Sequence, residues 1–167
     1  TTLSGVYAVG SVTGGRHSAI LVEEEARVAV ANALGKDKSL DKDKVPTIIY
    51  SDPELASVGC FASEAHFKGY RAVEGRYDLE ELSPALFASG MGGILKIVVD
   101  KPSKKIIGGH ILSPQASELV TLIALAVRKG LTLGDLSNLS YGRPSPYQAI
   151  HEVARSISKS LKSPTGS

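Results

Sequence analysis

At 167 residues, 43% hydrophobic and 22% charged, the chain has the length and make-up of one soluble globular domain, with or without an attached arm. Its net charge of +2, with both signs interspersed, argues against a dedicated nucleic-acid surface, and no apolar run approaches the roughly 20 residues of a membrane span. One cysteine, Cys60, excludes an intrachain disulfide, a CxxC pair and a zinc cage, and it fits a reducing, cytoplasmic setting.

The opening TTLSGVYAVG lacks an initiator Met and the character of a signal peptide, and it reads as part of a longer protein. Within it, Gly5 to Gly10 is expected to form a short buried strand ending in glycine. A loop, Ser11 to Arg16, leads into a helix from His17 to Leu34, with Gly35 at its C′ position. The run Lys36 to Lys44 (KDKSLDKDK) alternates in sign and reads as a solvated loop rather than a phosphate patch. It ends at Val45-Pro46, the expected boundary between an N-terminal arm, 1–44, and a main domain, 45–162. Thr47 to Tyr50 and Leu55 to Phe61 are strand-like on either side of the turn Ser51-Asp52-Pro53-Glu54. Ser63 to Lys68 reads as a short helix with Ser63 as N-cap and Gly69 as its stop. Tyr70 to Tyr77 follows as a strand, and the stretch to Gly93 shows no clear period. Ile94 to Asp100 has the strongest strand character in the chain, Lys101 to Lys104 is its hairpin turn, and Lys105 to Leu112 is its partner.

The period then changes. Ala116 to Lys129 is apolar on more than one face, which predicts a largely buried helix ended by Gly130. Thr132 caps a short helix that runs to Ser137. Pro146 to Lys162 forms the last helix, with Ile150, Val153, Ile157 and Leu161 along one side. The tail 163–167 is too polar and too rich in breakers to order on its own. Strands grouped before helices, rather than alternating with them, predict an α+β fold, an antiparallel sheet flanked by helices.

Few motifs carry chemistry unaided. Gly10, Gly14 and Gly15 lack GxGxxG spacing. They read equally as a plain strand-to-helix turn and as a loop that aims the next helix N-terminus at an anionic or electron-rich ligand. His17, His66, His110 and His151 stand in neither HxH nor HExxH spacing, which disfavours a metal site. His110 reads as a buried, hydrogen-bonded strand residue and Cys60 as a buried small hydrophobe. The segment YGRPSPYQ, Tyr141 to Gln148, has two readings. One is a helix entrance with Ser145 as N-cap and Pro146 in the first turn. The other is a binding loop for anions or hydrogen-bond acceptors. Arg143 stays protonated at any workable pH and cannot act as a general base, and Gln148 is neutral. Only Tyr141 and Tyr147 offer protons.

Five segments, in order, resemble the C-terminal third of the pyridine nucleotide–disulfide oxidoreductases, the flavoenzymes that include dihydrolipoamide dehydrogenase, glutathione reductase and mercuric reductase. The opening Thr2-x-x-Gly5-Val6-Tyr7-Ala8-Val9-Gly10 is similar to their second FAD-contacting strand. Tyr50 to Gly59, YSDPELASVG, is similar to the start of their interface domain, where TxPExAxVG is usual. Gly93 to Ile97 and Ile107 to Leu112 match its central hairpin, and Ala116 to Leu119 the helix after it.

The resemblance implies a homodimer in which residues 45–162 form the dimerisation domain and 1–44 are a remnant of the FAD-binding domain. It also implies FAD and NAD(P)H as cofactors of a parent whose FAD and NAD domains and redox cysteine pair lie upstream of this sequence. The family's HxHPTxxE segment aligns on Pro144. Tyr141 then replaces the first His, Arg143 the catalytic His and Gln148 the Glu, so the acid/base pair is substituted. Ser11 follows Gly10 where the family has an Asp that hydrogen-bonds the FAD ribityl chain. Ala19, Ile20, Leu21 and Val22 fall where a helix N-terminus approaches the flavin pyrimidine. The implied function is the dimerisation domain of a flavin-dependent NAD(P)H oxidoreductase, inactive alone, whose parent does not perform ordinary disulfide reduction. A quinone or other electron acceptor, or an acidic substrate held by Arg143, fits such a loop. The alternatives are an autonomous dimeric interaction module without flavin chemistry, and a small-molecule enzyme using Tyr141, Arg143 and His151. The apolar faces of the hairpin and of helix 116–129 exceed what so short a chain covers, so a second copy is expected to bury part of them.

Overall fold

The computed structural model describes residues 1–15, 18–82 and 92–162. Five strands form one antiparallel sheet: β1 (Thr47–Ile49), β2 (Glu54–Gly59), β3 (Ala72–Asp78), β4 (Ile94–Asp100) and β5 (Ile106–Ser113). Their order across the sheet is β1-β2-β5-β4-β3. Among the described residues four α-helices accompany it: α1 (Ala19–Ala33), α2 (Ala116–Lys129), α3 (Leu133–Asn138) and α4 (Gln148–Lys162). This is the α+β architecture that the grouping of strands and helices predicts.

The core lies between one face of the sheet and helices α2, α3 and α4. Alternation along β4 turns Leu95, Ile97 and Val99 to that face, and all three are fully buried. Leu119 and Ile123 of α2, Leu136 of α3, and Ile150, Val153 and Ile157 of α4 pack onto them. Close approach of α2 depends on Gly109 of β5. A Cβ there would stand 2.5 Å from Ile123 Cγ2, so only glycine lets the helix settle this near the strand. Gly130, at φ 65, then ends α2, and Thr132 and Asp135 form a reciprocal capping box that starts α3. The opposite face of the sheet is open over much of its area. Ile49, Leu55 and Leu112 form a cross-strand row there and are 53, 40 and 38% exposed.

Four expectations need correction. Gly5 to Gly10 is not a buried strand: Val6, Tyr7 and Val9 are exposed, and the chain passes into a single 3₁₀ turn at Gly10–Thr13. Among the described residues no strand lies alongside to pair its backbone groups, and an apolar run without a partner forms no strand. The turn after Cys60 is helical only over Ala65–Lys68, follows Glu64, and takes no side-chain cap from Ser63; Gly69, at φ 79, stops it as predicted. Helix α2 buries one face, not several, leaving Leu122 half-buried and Leu125 exposed. The loop KDKSLDKDK is at the surface but not simply solvated. Lys42 reaches Glu25 of α1 at 2.6 Å, Asp43 pairs with Lys68, and the Asn32 carboxamide brackets the Lys38 backbone. The expected helix start at His17, residues 83–91 of the stretch before Gly93, and the tail 163–167 lie outside the described residues.

Candidate functional site

The loop before α4 is built around its own helix cap. Ser145 Oγ accepts the Tyr147 N–H at 3.3 Å, and Gln148 Oε1 accepts the Ser145 N–H at 3.1 Å. This is a variant of the capping box: Gln148, three residues on, reaches back to the Ser145 N–H, while the Ser145 hydroxyl takes the Tyr147 amide and its carbonyl takes the Gln148 amide. The turn between is tight. Ala149 and Ile150 donate to the carbonyls of Pro146 and Tyr147, each at 3.1 Å, and the regular helix begins at Gln148.

Arg143 lies exposed ahead of this cap, with no ion pair or hydrogen bond to any described residue. With Gln148 it borders a groove of about 510 Å³ whose other walls include Tyr77 of β3, Glu81, and Glu152 of α4. Burial first, then the charges of Glu81 and Glu152, push the Tyr77 phenol above its usual value. Tyr141 does not join them. Its hydroxyl donates to the Leu136 carbonyl at 3.2 Å, its ring meets His151 edge-on at 5.9 Å, and burial raises its pKa. Of the three residues singled out in this loop, the fold therefore brings two to the groove and turns the third inward. His151 lies beneath, with Nδ1 buried and unpartnered among the described residues. Tyr77 was not foreseen. Strand alternation places it on the helix-covered face, but nothing in sequence says that β3 runs beside the start of α4.

The second group of candidates surrounds the start of α1. Gly10 and Ser11 open the 3₁₀ turn, Gly10 at φ 79, and the Ser11 side chain is exposed. The turn is pinned to α1 by Glu25, whose carboxylate accepts the Gly10 N–H at 2.7 Å and the Thr13 hydroxyl at 3.1 Å. The Lys42 ammonium and these bonds hold the Glu25 carboxyl below its ordinary pKa. Of the four helix-start residues, Leu21 and Val22 already donate to Ser18, through its Oγ at 3.2 Å and its carbonyl at 3.0 Å. Ala19 and Ile20 precede the first intrahelical bond, and among the described residues nothing accepts from their N–H groups, which remain as donors for a ligand. That donor set, with the Ser11 hydroxyl, fits a neutral or anionic acceptor such as a flavin edge.

Elsewhere, His110 is the buried strand histidine expected. Ser57 Oγ meets its Nδ1 at 2.8 Å and Phe61 stacks on its ring at 3.9 Å. Burial lowers its pKa, and the thiol of Cys60, also buried, is raised for the same reason. A larger cleft of about 600 Å³ lies far from Arg143, between the 41–44 loop and the end of α2. Much of its charge is neutralised internally by the pairs Lys44–Asp41 and Lys68–Asp43. Among the described residues no cluster of His, Cys, Asp or Glu could hold a metal, and no helix is long and apolar enough to cross a membrane.

Residues 45–154 match the dimerisation domain of the pyridine nucleotide-disulphide oxidoreductases. Over 154 residues the chain is 34% identical to the mitochondrial dihydrolipoyl dehydrogenase of Pisum sativum, which covers 92% of this chain and 31% of that protein. Leghemoglobin reductase of Glycine max is 33% identical over 92% of this chain and 29% of its own length. The fold is similar to that of LpdA from Mycobacterium tuberculosis, with a TM-score of 0.86 and 31% identity over 94% of this chain and 34% of that one. The chain thus spans about a third of the length of these relatives. It belongs to the pyridine nucleotide–disulfide oxidoreductase family, whose dimerisation domain it carries.

Proposed function

We propose that this chain is the dimerising part of a flavin-dependent NAD(P)H oxidoreductase, inactive by itself, whose loop before α4 no longer exchanges protons. The observation that carries this reading is the engagement of Gln148. Its carboxamide oxygen caps α4 through the Ser145 N–H, and beside it Arg143 holds its proton throughout the working pH range. In a dimer built like dihydrolipoamide dehydrogenase, the loop would face the other subunit's flavin site and offer charge and hydrogen bonds there, not proton transfer. That suits an acceptor taking electrons without a protein-derived proton at this point, such as a quinone, or an acidic substrate held by the guanidinium.

In the parent, Gly10, Ser11 and the N–H groups of Ala19 and Ile20 would hold FAD, which supplies the electron transfer when bound. Leu21 and Val22 contribute side-chain packing and not amide donors, because Ser18 takes both amides. Exposed Leu3, Val6 and Tyr7 support burial of this arm by upstream FAD and NAD domains. Leu122 and Leu125, on the outward side of α2, support burial by a second copy.

Two measurements test the proposal. The purified chain should scatter light as a dimer, carry no flavin absorbance and leave NADH unoxidised; a monomer at high concentration, or turnover, overturns it. The parent should not reduce lipoamide at the rate of a dihydrolipoamide dehydrogenase, and if it does, the reading of the substituted loop is wrong.

A further inference from the structure

We infer that Tyr77, Arg143 and Gln148 form a binding subsite for a planar carboxylate on a small molecule. The groove they share holds three sets of hydrogen-bond donors that the described protein leaves unused. Arg143 presents its guanidinium without a partner. The Gln148 oxygen is taken by the Ser145 N–H, so the free end of that side chain is its NH₂ group, a donor. The Tyr77 hydroxyl has no hydrogen bond to a described residue, and burial and the two nearby carboxylates keep it protonated. A guanidinium fork beside a carboxamide NH₂ matches the two oxygens of a carboxylate, and the phenol adds a third bond. The groove also opens at the start of α4, a 15-residue helix whose N-terminal end carries partial positive charge.

The charges set the valence of the ligand. Arg143 contributes one positive charge, Glu81 and Glu152 two negative ones, and Arg155, 3.9 Å from Glu152, offsets one of these. A nearly neutral groove with directed donors suits a monoanion and repels the second charge of a phosphate. Neither glutamate closes on Arg143, so the guanidinium stays open to a ligand.

The inference deepens the proposed function, since it names the head group such an acceptor would carry. Binding itself, however, is a property of this chain and is measured without flavin. Sodium benzoate is titrated into the ¹⁵N-labelled chain, with benzamide as the uncharged isostere. Saturable shifts are expected at the Gln148 side-chain amide and the Arg143 Nε–H, with benzamide far weaker. Tyr77→Phe should raise Kd about five-fold, as loss of one neutral hydrogen bond does. Arg143→Gln should raise it more than about ten-fold, as loss of a charge-assisted pair does. Glu81→Gln should tighten binding by removing a like charge. Tyr77→Phe is isosteric and Arg143 is exposed, so amide spectra of both variants verify the fold. Equal binding of benzamide, an unchanged Kd in Tyr77→Phe, absence of saturable shifts, or shifts confined to Lys105, Arg128 and Lys129 of the distant cleft would each overturn the subsite. None of these outcomes bears on the flavin reading, which the lipoamide assay decides. Conversely, lipoamide reduction by the parent would leave specific benzoate binding intact.

Discussion

Gln148 can be tested as a helix cap by two substitutions with opposite signs. Gln148→Ala removes the acceptor of the Ser145 N–H and leaves that donor half-buried, while the Ser145–Tyr147 bond at 3.3 Å remains. One lost bond of a capping pair costs about 1 kcal/mol. Gln148→Glu keeps an oxygen in place and adds negative charge in the first turn of a 15-residue helix, worth about 0.3–1 kcal/mol, from which repulsion by Glu152 four residues on takes about 0.2–0.5 kcal/mol, leaving a small net gain. The variants should therefore differ by roughly 1–2 kcal/mol in urea unfolding, at fixed protein concentration because association contributes to stability. In the folded state the introduced carboxylate is stabilised by the amide and the helix end, so its pKa lies below that of the unfolded chain. Its advantage is then complete above the unfolded value of about 4.3 and disappears as pH falls through the folded one. If Gln148→Ala is as stable as the parent sequence, Gln148 is not engaged by its own helix and is free to face another subunit. The cap reading would then fail, although a guanidinium and a carboxamide would still exchange no protons.

Gly109→Ala should destabilise by about 1–3 kcal/mol through overpacking against Ile123, and in an Ile123→Ala background that cost should vanish; additive effects in urea unfolding would show that the contact is not limiting. Leu125→Glu should convert a dimer to a monomer by light scattering without loss of helical circular dichroism, because Leu125 is exposed within one chain. His110 has a folded pKa lowered by burial, so it favours folding fully above the ordinary histidine value of about 6.5, and that contribution is lost as pH falls below it. His110→Gln should flatten the pH dependence of stability between about pH 5 and 7, and an unchanged slope would place the effect on other groups.

Local signals were legible wherever the element carries its own explanation. Ile94 to Asp100 is the observed β4 residue for residue, because its branched side chains suit a strand covered on both faces along its second half, where Val98 packs with Cys60, Ala65 and Ile107 opposite the main core. Helix α2 matches its predicted limits because Gly130 supplies the left-handed stop. The failures are those that depend on a neighbour. Val6, Tyr7 and Val9 have strand composition but no described strand to pair with, and composition cannot supply one. The resemblance reads Tyr141, Arg143 and Gln148 as substituted catalytic positions, although Ser145 and Gln148, three residues apart, also carry the S-x-x-Q spacing of a capping box. Tyr77 was invisible for a different reason. Its place beside Arg143 comes from β3 lying next to α4, a tertiary fact with no trace in the local pattern.

The same cap shapes the loop whichever of the two chemistries, amide or acid, stands at position 148. In the family the position of Gln148 carries a carboxylate and that of Arg143 a histidine, as the resemblance implies. A side chain at Gln148 that bonds the Ser145 N–H serves the helix whether it is an amide or an acid, so replacing the acid leaves the entrance to α4 intact. Substitution at Arg143 costs the fold little, because that residue is exposed and bonded to no described residue of its own chain. An acid–amide exchange at 148 and a change at 143 are thus compatible with the same helix entrance. With β3, the loop presents a set of donors: a guanidinium, a carboxamide NH₂ and a phenol. Donors hold an electron-rich group in place and leave its protons to solvent, which is why the head group of the acceptor, and not a proton relay, is the property to measure at this loop.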